Sequence, residues 1–222
     1  MKQPNIIYIL ADDMGYGDIS HLNRNSRINT PHLDTLAGGG MAFTDAHSSS
    51  AVCTPSRYSI LTGRYNWRSW LKEGVTFGYD RPLIEPGRMT VASMLKEHGY
   101  TTGCIGKWHL GWRWPKKSEV KEDVDYSRSI SEGPVSAGFD YFFGISASLD
   151  MSPYVYIEND RPTAVPDRIV PGGEGKAYWR EGPIAPDFRH EEVLPECTRR
   201  AVKWIEQSAQ KETPFFLYFP LP

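Results

Sequence analysis

The sequence predicts an α/β fold, with a mostly parallel central sheet and helices on both faces. Strongly apolar runs at 5–10 and 214–219 have the continuous hydrophobicity of strands buried on both sides. Segments with helical spacing and recognisable caps lie between the strand-like runs, and such alternation calls for crossover connections. No internal repeat or low-complexity linker divides the 222 residues, of which 40% are hydrophobic. A chain of this size buries a sizeable core, as one domain or as part of a larger one.

The first element is Asn5 to Leu10, a compact isoleucine-rich run read as a buried parallel strand, which ends at the acidic pair Asp12-Asp13. Thr30-Pro31 opens a short helix that Gly38 to Gly40 can stop, and Met41 to Ala46 is the next strand candidate. A helix over 54–62 follows Cys53, because Pro55 has the fixed φ and missing N–H that a first helical turn tolerates. Val91, Met94, Leu95 and His98 then share one helical face, with Thr90 placed as N-cap and Gly99 as the residue that ends the helix. Thr101 to Ile105 reads as another strand. From Trp112 to Arg189 the pattern is irregular and rich in glycine and proline, apart from a strand over Tyr154 to Glu158 that enters a turn at Asn159-Asp160. Loops of this region, about 112–189, are placed to line a substrate cleft. Leu194, Cys197, Ala201, Trp204 and Ser208 recur at spacings of three and four, giving an amphipathic helix over about 193–209 in which Pro195 is tolerated only in the first turn. Pro214 to Phe219 is the last strand.

Charge and composition exclude several classes of function. Lys and Arg number 25 against 27 Asp and Glu, a net charge of -2, so there is no general attraction to nucleic acid or anionic membranes. No apolar run is long enough to span a bilayer, and the opening MKQPNIIYIL lacks the regions of a signal peptide, so export is not encoded in the residues given. The cysteines at 53, 104 and 197 form neither a disulfide framework nor a close metal-ligand pair, and Cys104 and Cys197 are assigned to packing.

Residues 53–64, CTPSRYSILTGR, concentrate the chemistry. Cys53 lies near a helix start, where free N–H groups and the positive dipole end favour anions, and Arg57 about one turn on adds a fork of donors suited to a tetrahedral oxyanion. A thiol placed there has a lowered pKa and is reactive. The Asp12-Asp13 pair at the carboxyl end of a strand supplies hard oxygen donors of the kind calcium or magnesium takes, although a bare pair of this kind also suits a solvated turn or a helix cap. In Gly106-Lys107-Trp108-His109, Lys107 offers a point charge and His109 a group able to move a proton near neutral pH. His21, His32, His47, His98 and His190 are left structural.

CTPSRYSILTGR resembles the type I sulfatase signature, and GYTTGCIGKWHLG at 99–111 is similar to the second signature of that family. The likeness includes NIIYILADDMGYGD and TPHLDTLAGGGMAFTDAHS and runs through most of residues 5–111. It implies an alkaline-phosphatase-like fold and a Cys53 oxidised to formylglycine by a formylglycine-generating enzyme, which reads Thr54 and Pro55. It also implies a divalent cation, Ca2+ or alternatively Mg2+, held by Asp12, Asp13 and modified Cys53. Arg57 would stabilise the modified residue, and Lys107 and His109 would bind sulfate and transfer charge. In the implied mechanism one hydroxyl of the aldehyde hydrate attacks sulfur and releases the alcohol, and the second hydroxyl lets the sulfated residue collapse and expel sulfate.

The segment ISASLDMSPYVYIENDR, 145–161, resembles arylsulfatase and N-acetylgalactosamine-6-sulfatase relatives, which implies a sulfated glycan or an aryl sulfate as substrate. Members of the family are longer, with a second histidine, a distal metal pair, another lysine and a C-terminal subdomain. The resemblance therefore makes residues 1–222 the N-terminal portion of a catalytic domain with little activity alone. A phosphate or phosphonate ester hydrolase of the same superfamily and a non-catalytic binding module are the alternatives.

Overall fold

Parallel pairing organises the computed structural model, which describes residues 3–222. The strands β1 (Ile6–Leu10), β2 (Thr101–Lys107), β3 (Tyr141–Ile145), β4 (Tyr156–Glu158), β5 (Arg161–Pro162), β6 (Arg168–Val170), β7 (Gly182–Ile184) and β8 (Phe215–Pro220) are interleaved with the helices α1 (Pro31–Gly38), α2 (Cys53–Thr62), α3 (Val91–Glu97) and α4 (Val193–Ala209). The main sheet has six strands in the order β1-β8-β2-β3-β4-β5. From β1 through β8 and β2 to β3 every pairing is parallel, and β4 and β5 continue it antiparallel. β6 and β7 form a separate antiparallel pair. The expected α/β class and mostly parallel sheet are thus present.

Strand register places helices on both faces. Gly103 lies opposite both Leu217 and Tyr141, so these residues point to one face, and there α4 packs its Trp204 so tightly that a Cβ on Gly103 would come within 2.8 Å of the indole. On the same face the Arg200 guanidinium of α4 lies 4.2 Å from the Phe143 ring centroid. Phe216 and Tyr218 alternate to the other face and stack on Phe139, with centroids 6.2 and 6.3 Å apart. The Phe139 segment is tied to α3, where Thr90 Oγ1 donates to the Ala137 carbonyl at 2.6 Å and also caps the helix by accepting from Ser93 N. Gly99, with φ +83°, takes the left-handed conformation expected after α3.

Several expectations are corrected. Met41 to Ala46 forms no strand; Met41 and Phe43 are exposed, because an extended run stabilises only where a neighbouring strand takes its backbone groups. Among the described residues β1 is an edge strand paired with β8 alone and no helix packs across it, so Ile7, Tyr8 and Ile9 are exposed instead of buried on both sides. β2 continues two residues past Ile105 and ends on Lys107 itself. The aromatic run of β3 escaped notice inside the irregular region, where glycines and prolines on either side masked it. In α4 the buried stripe starts at Val193, with Leu194 exposed; Cys197, Ala201 and Ser208 are buried as expected. Cys104 and Cys197 are both fully buried packing residues. No helix among the described residues is long and apolar enough to cross a membrane.

Candidate active site

Four chain segments meet outside the carboxyl ends of the parallel strands, the region where open α/β sheets gather ligands: the turn after β1, the end of β2, the start of α2 and the loop after β3. Gly106 allows the convergence. Its φ of +129° is open to glycine, and a Cβ there would lie 1.9 Å from the Pro220 carbonyl, so only a bare backbone lets the ends of β2 and β8 approach. The next residue is Lys107.

Cys53 is the first residue of α2. Its N-cap, Val52, is extended (φ -130°, ψ 162°) and has no side-chain cap to offer the first-turn N–H groups. Lys107, 1% exposed, reaches Cys53 from β2: its Nζ lies 3.5 Å from Cys53 Sγ, 3.0 Å from Ser148 Oγ, and donates to the Asp12 carboxylate. A buried ammonium is tolerable only with such partners. Arg57, also 1% exposed, points beneath the same group. Its Nη1 donates to the Lys107 carbonyl at 2.6 Å, and its Nη2 is 3.4 Å from both the Leu221 carbonyl and Asp12 Oδ2. Burial alone would raise the Asp12 carboxyl; the hydrogen bond and charge of Lys107, with Arg57 and His109, outweigh it and hold the group below its ordinary value.

His109 is fully buried and held in a left-handed conformation, φ +57°. Thr54 Oγ1 and Thr76 Oγ1 both donate to its carbonyl, at 2.9 and 3.0 Å, and Thr76 N donates to Thr54 Oγ1 at 3.1 Å. The ring Nε2 lies 2.7 Å from the Thr76 carbonyl; because a carbonyl only accepts, Nε2 carries the proton and Nδ1, buried without a partner, presents its lone pair. Burial, then the charges of Lys107 and Arg57, push the imidazole down to about 3, against the opposing pull of Thr76 and Asp12. The near-neutral titration expected of His109 is therefore replaced by a neutral acceptor.

The structure brings Cys53, Arg57, Lys107 and Asp12 together and places His109 two residues beyond Lys107 under its own clamp. Asp13, with φ +55°, is exposed and among the described residues makes no hydrogen bond to the cluster. The two carboxylates suit a hard divalent cation, but among the described residues no group of three His, Cys, Asp or Glu side chains is gathered to hold one. Ser56 is the local backbone partner expected of it, donating to the carbonyls of Ser50 and Val52. His47 pairs with Asp45 at the surface. Sequence reasoning missed Ser148 and the Thr54–Thr76 clamp. Ser148 follows β3 as Asp12 follows β1, so recognising that strand would have drawn attention to it.

Comparison with known proteins gives a consistent result. A family model described as Sulfatase matches residues 4–221. The chain is 34% identical, over 98% of its length, to an N-acetylgalactosamine-6-O-sulfatase of Bacteroides thetaiotaomicron, and 34% identical, over 99% of its length, to arylsulfatase G of Rattus norvegicus. It spans 47% and 40% of those two relatives, less than half of each. A solved structure from work on the metabolism of multiple glycosaminoglycans by Bacteroides thetaiotaomicron superposes with a TM-score of 0.83 at 34% identity, covering 99% of this chain and 51% of that one.

Proposed function

The chain belongs to the sulfatase family, and from that membership we propose that it carries the nucleophile-bearing portion of a sulfuric ester hydrolase acting on a sulfated carbohydrate. The observation that carries the reading is Lys107 Nζ, 3.5 Å from Cys53 Sγ and bonded to Asp12 and Ser148, so that one buried cation faces the reacting position. A sulfate ester gains negative charge on its leaving oxygen as the S–O bond breaks, and a preorganised cation stabilises that charge without reorganisation. The preference for a carbohydrate rests on the relatives, one an N-acetylgalactosamine-6-O-sulfatase and another solved in the context of glycosaminoglycan metabolism.

In this proposal Cys53 is converted to formylglycine by a formylglycine-generating enzyme, which replaces the thiol by an aldehyde whose hydrate is the oxygen nucleophile. Arg57 keeps the end of β2 and the Asp12 carboxylate in place, and the clamped, neutral His109 offers its Nδ1 lone pair as a hydrogen-bond acceptor for the hydrate. Asp12, Asp13 and the oxygen that replaces the Cys53 thiol would hold calcium, or magnesium, whose charge neutralises sulfate. Calcium takes about six to eight oxygens, so the remaining ligands come from solvent, substrate or further polypeptide. The exposed apolar edge of β1 and the coverage of less than half of the relatives support the view that residues 1–222 are the N-terminal portion of a longer catalytic domain.

Intact-protein mass spectrometry of the chain produced beside the modifying enzyme should show Cys53 converted. The complete polypeptide should then cleave a sulfate ester faster than the matched phosphate ester. A faster phosphate reaction would move the protein to the phosphoester hydrolases of the superfamily, and an unmodified cysteine in an active enzyme would remove the formylglycine.

A further inference from the structure

Beside the sulfate-facing cluster lies a charged pair that the chemistry above leaves unused. Asp150 follows Ser148 by two residues, and Arg180 Nη1 forms an ion pair with its carboxylate. The contact is reinforced by the backbone: Arg180 N and Nη1 both donate to the Asp150 carbonyl, at 3.1 and 3.2 Å, and Tyr154 Oη donates to the Arg180 carbonyl at 2.6 Å. The guanidinium also lies 5.7 Å from the ring centroids of both Phe77 and Tyr178. Phe77 directly follows Thr76, which clamps His109. The pair is therefore tied to two walls of the site, through Ser148 to Lys107 and through Phe77 to His109.

An ion pair with side chains 43% and 26% exposed contributes little to stability, so its tight bracing calls for another explanation. We propose that Asp150 and Arg180 form a specificity subsite that reads uncharged hydroxyls on the sugar ring bearing the scissile sulfate, a proposal that rests on the sulfatase reading above. A carboxylate accepts from neighbouring hydroxyls and a guanidinium donates to ring oxygens, while the half-exposed Phe77 and Tyr178 offer faces to the C–H side of a pyranose. The pair carries no net charge, so it offers no net attraction to a second sulfate or a uronate. The geometry favours a neutral sugar unit over a densely anionic one.

The test compares Asp150→Asn and Arg180→Lys with wild type in the complete, modified, calcium-loaded polypeptide, on N-acetylgalactosamine-6-sulfate and on 4-nitrophenyl sulfate. On the sugar, kcat/KM should fall about tenfold or more, mainly through KM, and on the aryl ester it should stay within about twofold. Equal losses on both esters, or an unchanged sugar reaction, overturn the assignment. If wild type cleaves neither ester the sulfatase reading fails, and the pair is judged by NMR titration with N-acetylgalactosamine: weaker binding by Asp150→Asn supports the subsite, and equal binding overturns it.

Discussion

Arg57 donates to the backbone carbonyl of Lys107 at 2.6 Å, and the two cations share the Asp12 carboxylate. One buried cation thus holds the strand end that aims the other. Two positive charges this close are tolerated because the carboxylate lies between them, and a fork of donors is needed to reach a carbonyl and a carboxylate from one side chain.

Arg57→Ala should destabilise the fold by about 3–5 kcal/mol, since it leaves buried partners of a charged group unsatisfied. Arg57→Lys should recover only part of that, because a single ammonium cannot span both acceptors. Urea denaturation measures both. Wild-type stability in Arg57→Ala would show that Lys107 and Asp12 are held by other means.

Gly106→Ala places a Cβ against the Pro220 carbonyl at a positive φ, with an expected loss of more than about 3 kcal/mol. Gly38→Ala is the control: no atom lies within 4 Å of its Cβ position, and alanine in that helix should be neutral or stabilising by up to about 1 kcal/mol. Thermal melts of the two variants should move in opposite directions, or only the first should move.

The three thiols should differ in reactivity in the unmodified folded chain. Burial pushes Cys197 up to about 12, with the Glu196 charge adding to it, and burial raises Cys104 well above its ordinary value. At pH 8 the Cys197 thiolate is then about one part in 10⁴, and iodoacetamide should label Cys53 alone. Peptide mapping after native alkylation reads the result; labelling at 197 would contradict the packing of α4 on the sheet, and labelling at 104 the packing of the opposite face, where Cys104 lies beside Phe142 and Tyr218.

Asp140 links α3 to β2. Burial alone would raise its carboxyl, but Lys96 Nζ at 2.6 Å and the N–H and hydroxyl of Thr102 lower it overall. A depressed folded pKa contributes stability above the unfolded value near 3.9, and that contribution is lost as pH falls through the folded value. Wild type should therefore melt above Asp140→Asn at pH 7, and the gap should close at pH values below about 4. A gap independent of pH would rule out the charge as its source.

The sheet class, the α2 and α4 helices and Cys53, Arg57, Lys107 and Asp12 were legible because each leaves a local mark: an apolar run, a stripe at helical spacing, a cap or a signature. Met41 to Ala46 misled because its hydrophobicity reports affinity for apolar surroundings and carries no information on whether a partner strand is present. Ser148 and Thr76 were missed because their neighbours in space come from distant segments: Ser148 meets a lysine 41 positions away, and Thr76 a histidine 33 positions away.

The sequence by itself determined the family, the α/β alternation and which motif residues are the candidates for the site, since motifs and periodicities are properties of neighbouring residues. Tertiary structure alone decided that Arg57 would brace Lys107, that His109 would be buried as a neutral acceptor and that Arg180 would be locked to Asp150. Those outcomes depend on burial and on distances between segments brought together only when the parallel strands align their carboxyl ends.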